Sequence, residues 1–594
     1  MKQFFKMFFA SLLAMIVAGV IVFGVIIGLI VSAVSKSAKD KNEVKVAANS
    51  VLVIDLAKTF HEQGQSNSFA ILNNEDTYNA GLYEASNAII AAKNDHNISG
   101  IFIKLSPMPN GWATAQQLRQ AILAFKTSGK FVYAYGENIT QGAYYVASAA
   151  DSIFVNPVGD VELKGLSTTI PFFKGTLDKL ELQPEIFYAG KFKSATEPFR
   201  AEKMSEPNRQ QTTEFMTDFW NQFVGAVAAH THTDPAMVNQ WAQTGAIQFP
   251  EDALKYKLID GLYYWDQVEQ RMRQKTGTKD DKDIKYVSLN DYVNNVKNNR
   301  TLNDNKIAVL FAEGDIVDGN SREDYQIASR DIVKEIRKLR KNDKIKAVVL
   351  RVNSPGGSAL ASEVILRELQ LLKQKKPLIV SMGNYAASGG YYISCQADSI
   401  FAMPNTITGS IGVFTMMFNT SNLLKNKLGV TFDGVKNAPY ADFPTAIRPL
   451  TADEGQRMQN QIDHIYGIFK SRVSLGRRLS AVNVDSIAQG HVYSGTRALQ
   501  LGLVDGLGNL ERAIASAAKL ANVKSYQVTT YPEAIDKFEA ILRRFKNKDA
   551  VDAMAKAMIE NEAGTDFKYY KQVKALRDID GKAMMAMPFT YDIK

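Results

Sequence analysis

The chain has 594 residues, of which 46% are hydrophobic and 22% charged, and this length and composition indicate a globular protein of more than one domain. Lysine and arginine outnumber aspartate and glutamate by 70 to 61, a net charge of +9, which does not indicate nucleic-acid binding without a supporting motif, and we find none. The single cysteine, Cys395, excludes an intrachain disulfide and a cysteine-based metal cluster. Its apolar surroundings in sequence are typical of a buried structural cysteine.

Residues 7–35 form an uncharged, almost wholly apolar stretch. About 20 such residues span a lipid bilayer, whereas the apolar core of a cleaved signal peptide is only about 7–15 residues long. We therefore expect an uncleaved, single-pass transmembrane anchor at 7–35. Lysines lie on both sides of this stretch, so the positive-inside rule alone does not determine its orientation.

The rest of the chain contains an internal repeat at an offset of about 247 residues, at which Tyr144 aligns with Tyr391. Matching blocks occur in the same order in both copies, which predicts a tandem duplication of one domain. The matched blocks are 101–107 with 349–355, 138–154 with 385–401, and 253–262 with 498–507.

Both copies have the hydrophobic pattern of an α/β domain. Short β-branched runs predict buried strands, and apolar residues at three- to four-residue spacing predict a helix between two of them. Strand, helix and strand in this order predict a parallel sheet. The predicted strands are 51–54, 100–105 and 131–135 in the first copy and 307–311, 347–352 and 378–382 in the second, with helices at 113–125 and 359–375.

These patterns divide the chain into five parts. They are 1–46 (the segment before the anchor, the anchor and a linker), 47–274 (N-terminal repeat), 275–305 (polar linker), 306–525 (C-terminal repeat) and 526–594 (charged, helical tail).

Two glycine-containing segments follow adjacent predicted strands of the second copy. Residues 353–357 (Asn-Ser-Pro-Gly-Gly) precede a predicted helix, where backbone N–H groups stabilise negative charge and suit an oxyanion hole. Residues 386–390 (Ala-Ala-Ser-Gly-Gly) place Ser388 after the next strand. Each segment alone fits an ordinary turn, but together they nominate Ser388 as a nucleophile.

A serine nucleophile needs a general base, and no histidine lies in a compact motif that nominates it. The six histidines are His61, His96, His230, His232, His464 and His491.

Four sequence blocks resemble the signal peptide peptidase A (protease IV) family in its long, duplicated bacterial form. The resemblance covers about residues 1–525, and its blocks are 190–199, 353–358, 385–392 and 408–412. It implies a fold similar to crotonase and Clp protease and a Ser/Lys dyad, with no metal and no cofactor. The residues that it implies are Ser388 as nucleophile, Lys193 as general base, Ser410 as the hydroxyl that orients the lysine, and the amides of Gly356, Gly357 and Gly389 as oxyanion donors.

The resemblance also implies a biological setting. Its members degrade signal peptides that remain in the membrane after cleavage, so signal peptides and other apolar peptides are the expected partners. It implies a homotetramer at the bacterial inner membrane, with the catalytic part in the periplasm.

The repeat divides this expected site between the two copies. Ser388 aligns with Gln141 of the first copy, while Lys193 aligns near Pro439 and Tyr440, where no lysine occurs. A complete site therefore requires both copies, either within one chain or between chains.

Lys193 acts as a base only in its neutral form. Lowering a lysine pKa from near 10.4 to about 7–8 requires burial and corresponds to about 4 kcal/mol. A cation such as Lys191 favours that shift if it points inward, whereas an ion pair with Glu197 opposes it, so we expect Glu197 to face elsewhere.

Two other readings of the sequence stay open at this stage. A crotonase-type acyl-CoA enzyme also uses glycine loops around an oxyanion, although the anchor and the lack of a carboxylate in the Ser-Gly-Gly motif argue against it. A non-catalytic membrane scaffold is the second alternative.

Overall fold

A computed structural model of the chain describes residues 46–66, 78–298, 303–321, 325–533 and 581–587, together with the isolated positions Met7, Met15, Ala18 and Ile593. The predicted anchor at 7–35 lies outside the described residues except at three of these isolated positions. Within the described ranges, no helix is both long enough and apolar enough to cross a membrane.

The first repeat alternates strands and helices. Its strands are β1 (Ser50–Asp55), β2 (Gln65–Ser66), β3 (Tyr78–Asn79), β4 (Ile98–Lys104), β5 (Phe131–Ile139), β6 (Ser152–Val161), β7 (Gln183–Ala189), β8 (Gly261–Leu262) and β9 (Tyr286–Ser288). Its helices are Leu82–Ala92, Trp112–Lys126, Gln141–Ala147, Lys174–Lys179, Glu197–Arg200, Glu206–Thr231, Pro235–Thr244, Pro250–Lys255, Trp265–Thr276 and Leu289–Asn298, with a 3₁₀ turn at Ser194–Thr196.

The second repeat follows the same plan. Its strands are β10 (Lys306–Glu313), β11 (Asp315–Val317), β12 (Gln326–Ala328), β13 (Ile345–Ser354), β14 (Gly356–Ser358), β15 (Leu378–Ala387), β16 (Ser399–Ala402), β17 (Ile407–Gly409), β18 (Val413–Asn419), β19 (Val492–Ser494), β20 (Gly506–Leu507), β21 (Gln527–Tyr531) and β22 (Met584–Ala586). Its helices are Ser329–Lys341, Ala359–Lys373, Gly389–Ser394, Ala452–Arg477, Ala481–Ile487, Gly495–Gln500 and Leu510–Leu520, with a π-helical turn at Leu423–Lys427.

The central sheets of the two repeats have equivalent strand orders. The first sheet is entirely parallel in the order β8-β6-β5-β4-β1-β9. The second has β20-β16-β15-β13-β10-β21, also parallel, and β17 pairs with the end of β15. The matching orders confirm the duplicated α/β architecture that the repeat predicted.

The strands at the centre of each sheet are apolar because both of their faces are covered. Six consecutive residues of β13, 347–352, are buried. The following helix, Ala359–Lys373, begins where the Ser358 hydroxyl accepts a hydrogen bond from the amide of Ala361 (3.1 Å), and it buries Ile365 and Leu369 against the sheet. This strand, turn and helix carry the Ser-Pro-Gly-Gly segment of 354–357.

The stretch 275–305, predicted to be a linker, contains part of the first domain. Strand β9 pairs with β1, and the helix that follows buries Tyr292 and Val293. The buried face of this helix is made of a few apolar residues among many polar ones. Because the stretch is polar as a whole, its sequence did not predict a buried helix. Strand β21 is the equivalent edge of the second sheet.

The stretch 526–594, predicted to be a helical tail, is described only at 526–533, 581–587 and residue 593. These parts contain strands, not helix. Strand β21 extends the central sheet, and β22 pairs antiparallel with β14.

A third sheet contains strands of both repeats in the order β12-β11-β14-β22-β18-β7. Strand β7 of the first repeat runs antiparallel to β18 of the second, from the pair Ala189 and Val413 to the pair Gln183 and Asn419. Seven residue pairs in register fix the end of β7 relative to the second repeat.

A buried ion pair is another link between the repeats. The Arg351 guanidinium donates to the Glu62 carboxylate at 2.7 Å, and also to the Ser381 hydroxyl at 2.8 Å. Both charged side chains are almost completely buried. Because a buried charge without a partner is strongly destabilising, this contact requires both repeats to be present.

Candidate active site

Ser388 lies at the sharp turn between strand β15 and the helix Gly389–Ser394. Its backbone has φ 55° and ψ −114°, a conformation that is rare for a residue with a side chain and typical of functional sites. Its amide donates to the carbonyl of Gly409 at 2.8 Å, and the residue is completely buried. The turn therefore holds the hydroxyl in one place.

Glycines beside Ser388 allow the segment 353–357 to approach closely. A Cβ on Gly390 would lie 2.7 Å from the carbonyl oxygen of Ser354. Any larger residue at this position would push apart the two segments that the sequence nominated.

The side chain of Lys193 reaches Ser388 across the boundary between the repeats. Its Nζ lies 3.0 Å from the Ser388 Oγ and 3.1 Å from the Ser410 Oγ. These three side chains, which are distant in sequence, therefore form one hydrogen-bonded cluster within a single chain.

The loop that carries Lys193 is positioned by the third sheet. Strand β7 ends at Ala189 opposite Val413, and the amide of Phe192 then donates to the carbonyl of Gln489 at 2.8 Å. On the other side, a Cβ on Gly490 would lie only 2.7 Å from the Cβ of Lys193. The lysine backbone is thus packed directly against the second repeat.

Burial controls the protonation of Lys193. The side chain is 1% exposed, and the loss of hydration lowers its pKa to about 7. The carboxylate of Glu197 is bound instead by the side-chain amide of Asn208 (2.8 Å) and the amide of Ser205 (3.2 Å). Glu197 therefore faces elsewhere, as predicted, and does not oppose the lowered pKa of Lys193.

Ser410 follows strand β17 with a φ of 50°. Its amide donates to the carbonyl of His491 at 2.7 Å, and β17 is joined to β15 by sheet pairing. The hydroxyls of Ser388 and Ser410 are therefore placed by the ends of two paired strands.

Three glycines form a cradle beside Ser388. Gly356 and Gly357 have φ values of 110° and 153°, and a Cβ on Gly389 would lie 3.2 Å from the Gly357 amide nitrogen. The Gly356 amide is already occupied, because it donates to the Ser354 hydroxyl at 3.2 Å. Gly357 and Gly389 are consequently the two of this set whose amides best suit an oxyanion.

The equivalent positions in the opposite copies have other roles. The Gln141 side chain accepts hydrogen bonds from the amides of Lys164 and Gly165, at 2.8 and 3.0 Å, so it closes a loop where a nucleophile would lie. Tyr440, near the position equivalent to Lys193, is 40% exposed. The cluster of serine and lysine thus occurs once in the described structure.

Sequence reasoning missed three contributors to this site. Ser354 binds the Gly356 amide, Gly490 packs on Lys193, and His491 holds the Ser410 amide. Ser354 belongs to the segment 353–357 that the sequence had already nominated, so its contribution to the site could have been predicted. Gly490 and His491 are distant from every motif, and nothing in a single sequence marked them.

Cys395 is fully buried, and burial raises the pKa of its thiol to about 12. Cys395 is therefore a buried structural cysteine, as the sequence predicted, and its thiol stays protonated. Across the ranges that the structure covers, no group of three His, Cys, Asp or Glu residues is placed to hold a metal ion.

The architecture, with a buried serine beside a lysine of lowered pKa, is that of a serine peptidase. The chain belongs to peptidase family S49, because the family model matches residues 124–279 and 370–524, one match on each repeat. The Clp protease family model also matches residues 299–408, which agrees with a Clp-protease-like second domain.

Relatives with similar sequences carry protease names. The chain is 36% identical to Protease 4 of Salmonella typhi, over 82% of this chain and 80% of that protein. It is 38% identical to Protease 4 of Haemophilus influenzae, over 73% and 72%. It is 31% identical to the chloroplastic serine protease SPPA of Arabidopsis thaliana, over 77% and 68%. This similarity leaves the acyl-CoA enzyme and the non-catalytic scaffold without support.

Proposed function

We propose that this serine peptidase is an endopeptidase with a Ser/Lys dyad, and that it degrades signal peptides and other apolar peptides. The observation that carries the proposal is the buried 3.0 Å hydrogen bond between Lys193 Nζ and Ser388 Oγ. A neutral lysine at this distance accepts the seryl proton.

The reaction follows from the positions of these groups. The Ser388 oxygen attacks the peptide carbonyl carbon while its proton moves to Lys193. The amides of Gly357 and Gly389 stabilise the oxyanion that forms. Lys193 then protonates the leaving amine, and the Ser410 hydroxyl, 3.1 Å from Nζ, keeps the lysine directed at the nucleophile.

Cleavage of a fluorogenic apolar peptide by purified protein tests this mechanism. We expect Ser388→Ala to lower kcat about 10⁴-fold or more and Lys193→Ala to lower it about 10²- to 10⁴-fold. Lys191→Ala, which removes an exposed lysine two residues away, and Ser394→Ala, which removes another buried serine, are the matched controls. Equal rates for Ser388→Ala and Ser394→Ala would overturn the proposal.

We further propose that residues 7–35 anchor the protein in a bacterial inner membrane, with the catalytic part in the periplasm and four chains in each particle. The long uncharged N-terminal stretch supports the anchor, and a site held near the membrane suits the apolar substrates proposed above. Digestion by trypsin added to spheroplasts tests the orientation, and light scattering of the detergent-solubilised protein tests the assembly. A catalytic part protected from trypsin would contradict the periplasmic location.

A further inference from the structure

Gln211, a residue of the first repeat, connects the loop that carries Lys193 to the second repeat. It is 1% exposed. Its side-chain nitrogen donates to the carbonyl of Phe192 and to the hydroxyl of Ser194, both at 3.1 Å. Its side-chain oxygen accepts from the amide of Val492 at 3.1 Å. One buried side chain thus binds the residues on both sides of Lys193 and a strand of the second repeat.

These contacts require a side chain that both donates and accepts. The backbone carbonyl of Phe192 accepts but cannot donate, and the backbone amide of Val492 donates but cannot accept. A carboxamide provides both groups, whereas a carboxylate provides acceptors alone. The partners of Gln211 therefore determine its identity as well as its orientation.

The helix Glu206–Thr231 gives Gln211 a fixed position. This helix buries Phe215 and Phe219, which pack in an apolar cluster with Val492 of the second repeat. Gln211 lies in the second turn of the same helix. Its side chain therefore connects the loop to an element that is itself packed against the second repeat.

The equivalent residue of the second repeat has a different environment. The helices Glu206–Thr231 and Ala452–Arg477 both have 26 residues, and each is followed by a residue in the left-handed conformation. The sixth residue is Gln211 in the first helix and Arg457 in the second. Arg457 is half-exposed and donates to the hydroxyl of Tyr440 at 2.7 Å, near the position equivalent to the lysine. The buried amide thus occurs in the copy that has the lysine.

The position of the loop also controls the protonation of Lys193. Burial is the cause of its lowered pKa. If the loop moved outward, water would reach the amine, and the pKa would return toward the ordinary lysine value of about 10.4. The 3.0 Å contact with the Ser388 hydroxyl would be lost by the same movement.

Charged and titratable side chains on several elements surround the loop and Gln211. They are Lys191 and Glu197, near the lysine in sequence, Glu214 and Asp218 of the helix, and His491 and Arg497 of the second repeat. Arg497 lies 3.7 Å from Glu214 and 2.7 Å from Asp218. The amine of Lys193 is bonded instead to two serine hydroxyls.

We propose that Gln211 is a positioning residue for the general base, an inference that rests on the proposed Ser/Lys mechanism. By holding the chain on both sides of Lys193, its amide keeps the amine directed at Ser388 and keeps water out of the loop. Gln211 acts through Lys193 and takes no proton itself.

Cleavage of an uncharged apolar peptide by the full chain, purified in detergent, tests this role. Gln211→Met keeps the length of the side chain and removes the amide. We expect kcat to fall about 10- to 100-fold, and the rising limb of kcat/KM against pH to move about one pH unit or more higher, because a displaced loop lets water reach Lys193.

Gln116→Met is the matched control. Gln116 is another buried glutamine of the first repeat, and its side-chain oxygen accepts from the amide of Asn405 in the second repeat at 3.3 Å. It does not contact the loop of Lys193. We expect this variant to lose much less kcat and to keep the rising limb of the wild type.

Gln211→Glu is a second variant with almost the same shape. Its carboxylate still accepts from Val492 but cannot donate to Phe192, and a negative charge beside the loop favours the protonated lysine. The rising limb is again expected at higher pH. Thermal unfolding of each variant separates these effects from a loss of folded protein, which would lower kcat/KM by a similar factor across the pH range.

The wild-type profile and these variants distinguish the two proposals. A rising limb that stays in place in both Gln211 variants, or that moves as far in Gln116→Met, would overturn the positioning role and leave the Ser/Lys mechanism intact. A wild-type chain that does not cleave the peptide, or a Lys193→Ala chain with full activity, would contradict that mechanism. If neither Gln211 variant folds while Gln116→Met does, Gln211 is required for folding, and the positioning role is also overturned.

Discussion

Almost all of the hydration of Lys193 has been removed, and this burial lowers its pKa to about 7, so the neutral amine becomes accessible near neutral pH. Glu197 is the acidic residue nearest to Lys193 in sequence, but its carboxylate is hydrogen-bonded by Asn208 and Ser205 and does not pair with the lysine. Burial of Lys193 without an ion pair lowers the stability of the folded protein, because a basic group that loses its hydration is not compensated by an opposite charge. Contacts elsewhere in the structure must offset this loss.

The lowered pKa of Lys193 predicts the pH dependence of catalysis. A base works when it is unprotonated, so kcat/KM is expected to rise about tenfold per pH unit below a pKa of about 7 and to level off above it. The check is a kcat/KM profile from pH 5 to 9 with an uncharged apolar peptide.

His491 is the control for this assignment. Its ring lies 4.2 Å from that of Phe192, and burial lowers its pKa below the ordinary value for histidine, so it is a titratable side chain next to the loop of Lys193. We expect His491→Gln to retain the rising limb. A limb that disappears in this variant, or a flat wild-type profile, would contradict the assignment to lysine.

At the scale of elements, the loop before the 3₁₀ turn Ser194–Thr196 is held between β18 and the segment around Gly490. This loop carries Lys193, the proposed base, and packs against Gly490, which is nearly 300 residues away in sequence. Gly490 is therefore required for close packing against Lys193, and not for flexibility of the chain.

Gly490→Ala tests this dependence. Its Cβ would lie 2.7 Å from the amide nitrogen and the Cβ of Lys193, so we expect the lysine to shift and kcat to fall about 10- to 100-fold, in keeping with the sensitivity of catalysis to small misplacements. Activity on an apolar peptide and thermal unfolding are measured together.

Gly502→Ala is the matched substitution. Gly502 has a φ of 71°, close to the 75° of Gly490, so both alanines bear a similar backbone cost of about 1–2 kcal/mol. The nearest atom to a Cβ at Gly502 is in the Leu479 side chain, at 3.7 Å. If both variants lost kcat equally, the effect would come from backbone strain and not from displacement of Lys193.

At the scale of the whole molecule, the duplicated domain forms one site from two copies. Strand β7 joins β18, and the side chains of Ser388 and Lys193 meet within one chain. The pairing of the repeats therefore decides whether the protein has a site at all.

Mixing experiments test whether each chain is self-sufficient. Because Lys193 and Ser388 of one chain contact each other, co-expressed Ser388→Ala and Lys193→Ala chains are expected to give no more activity than the two variants give separately. Activity against an apolar peptide is compared with that of co-expressed wild-type chains. Recovery of a substantial fraction of wild-type activity would indicate that the dyad forms between chains.

The sequence predicted the repeat and the central strands, and its motifs at strand ends nominated Ser388, whereas Lys193 and Ser410 came from the family resemblance. It did not predict the pairing of β7 with β18, because edge strands of different domains share no local pattern. The strands in the polar stretch around β9 and in the charged C-terminal stretch were also not predicted, because these stretches contain few apolar residues. These apolar residues indicate a strand only when the strand that pairs with them is known.

The pairing of β7 with β18 makes the two repeats resemble an obligate heterodimer whose subunits have been joined covalently. Free domains that met at such an edge would lose translational freedom at a cost of several kcal/mol, whereas linked domains meet at an effective concentration in the millimolar range. Because Lys193 lies in one copy and Ser388 in the other, loss of either copy would remove the candidate site. The two copies are therefore not interchangeable.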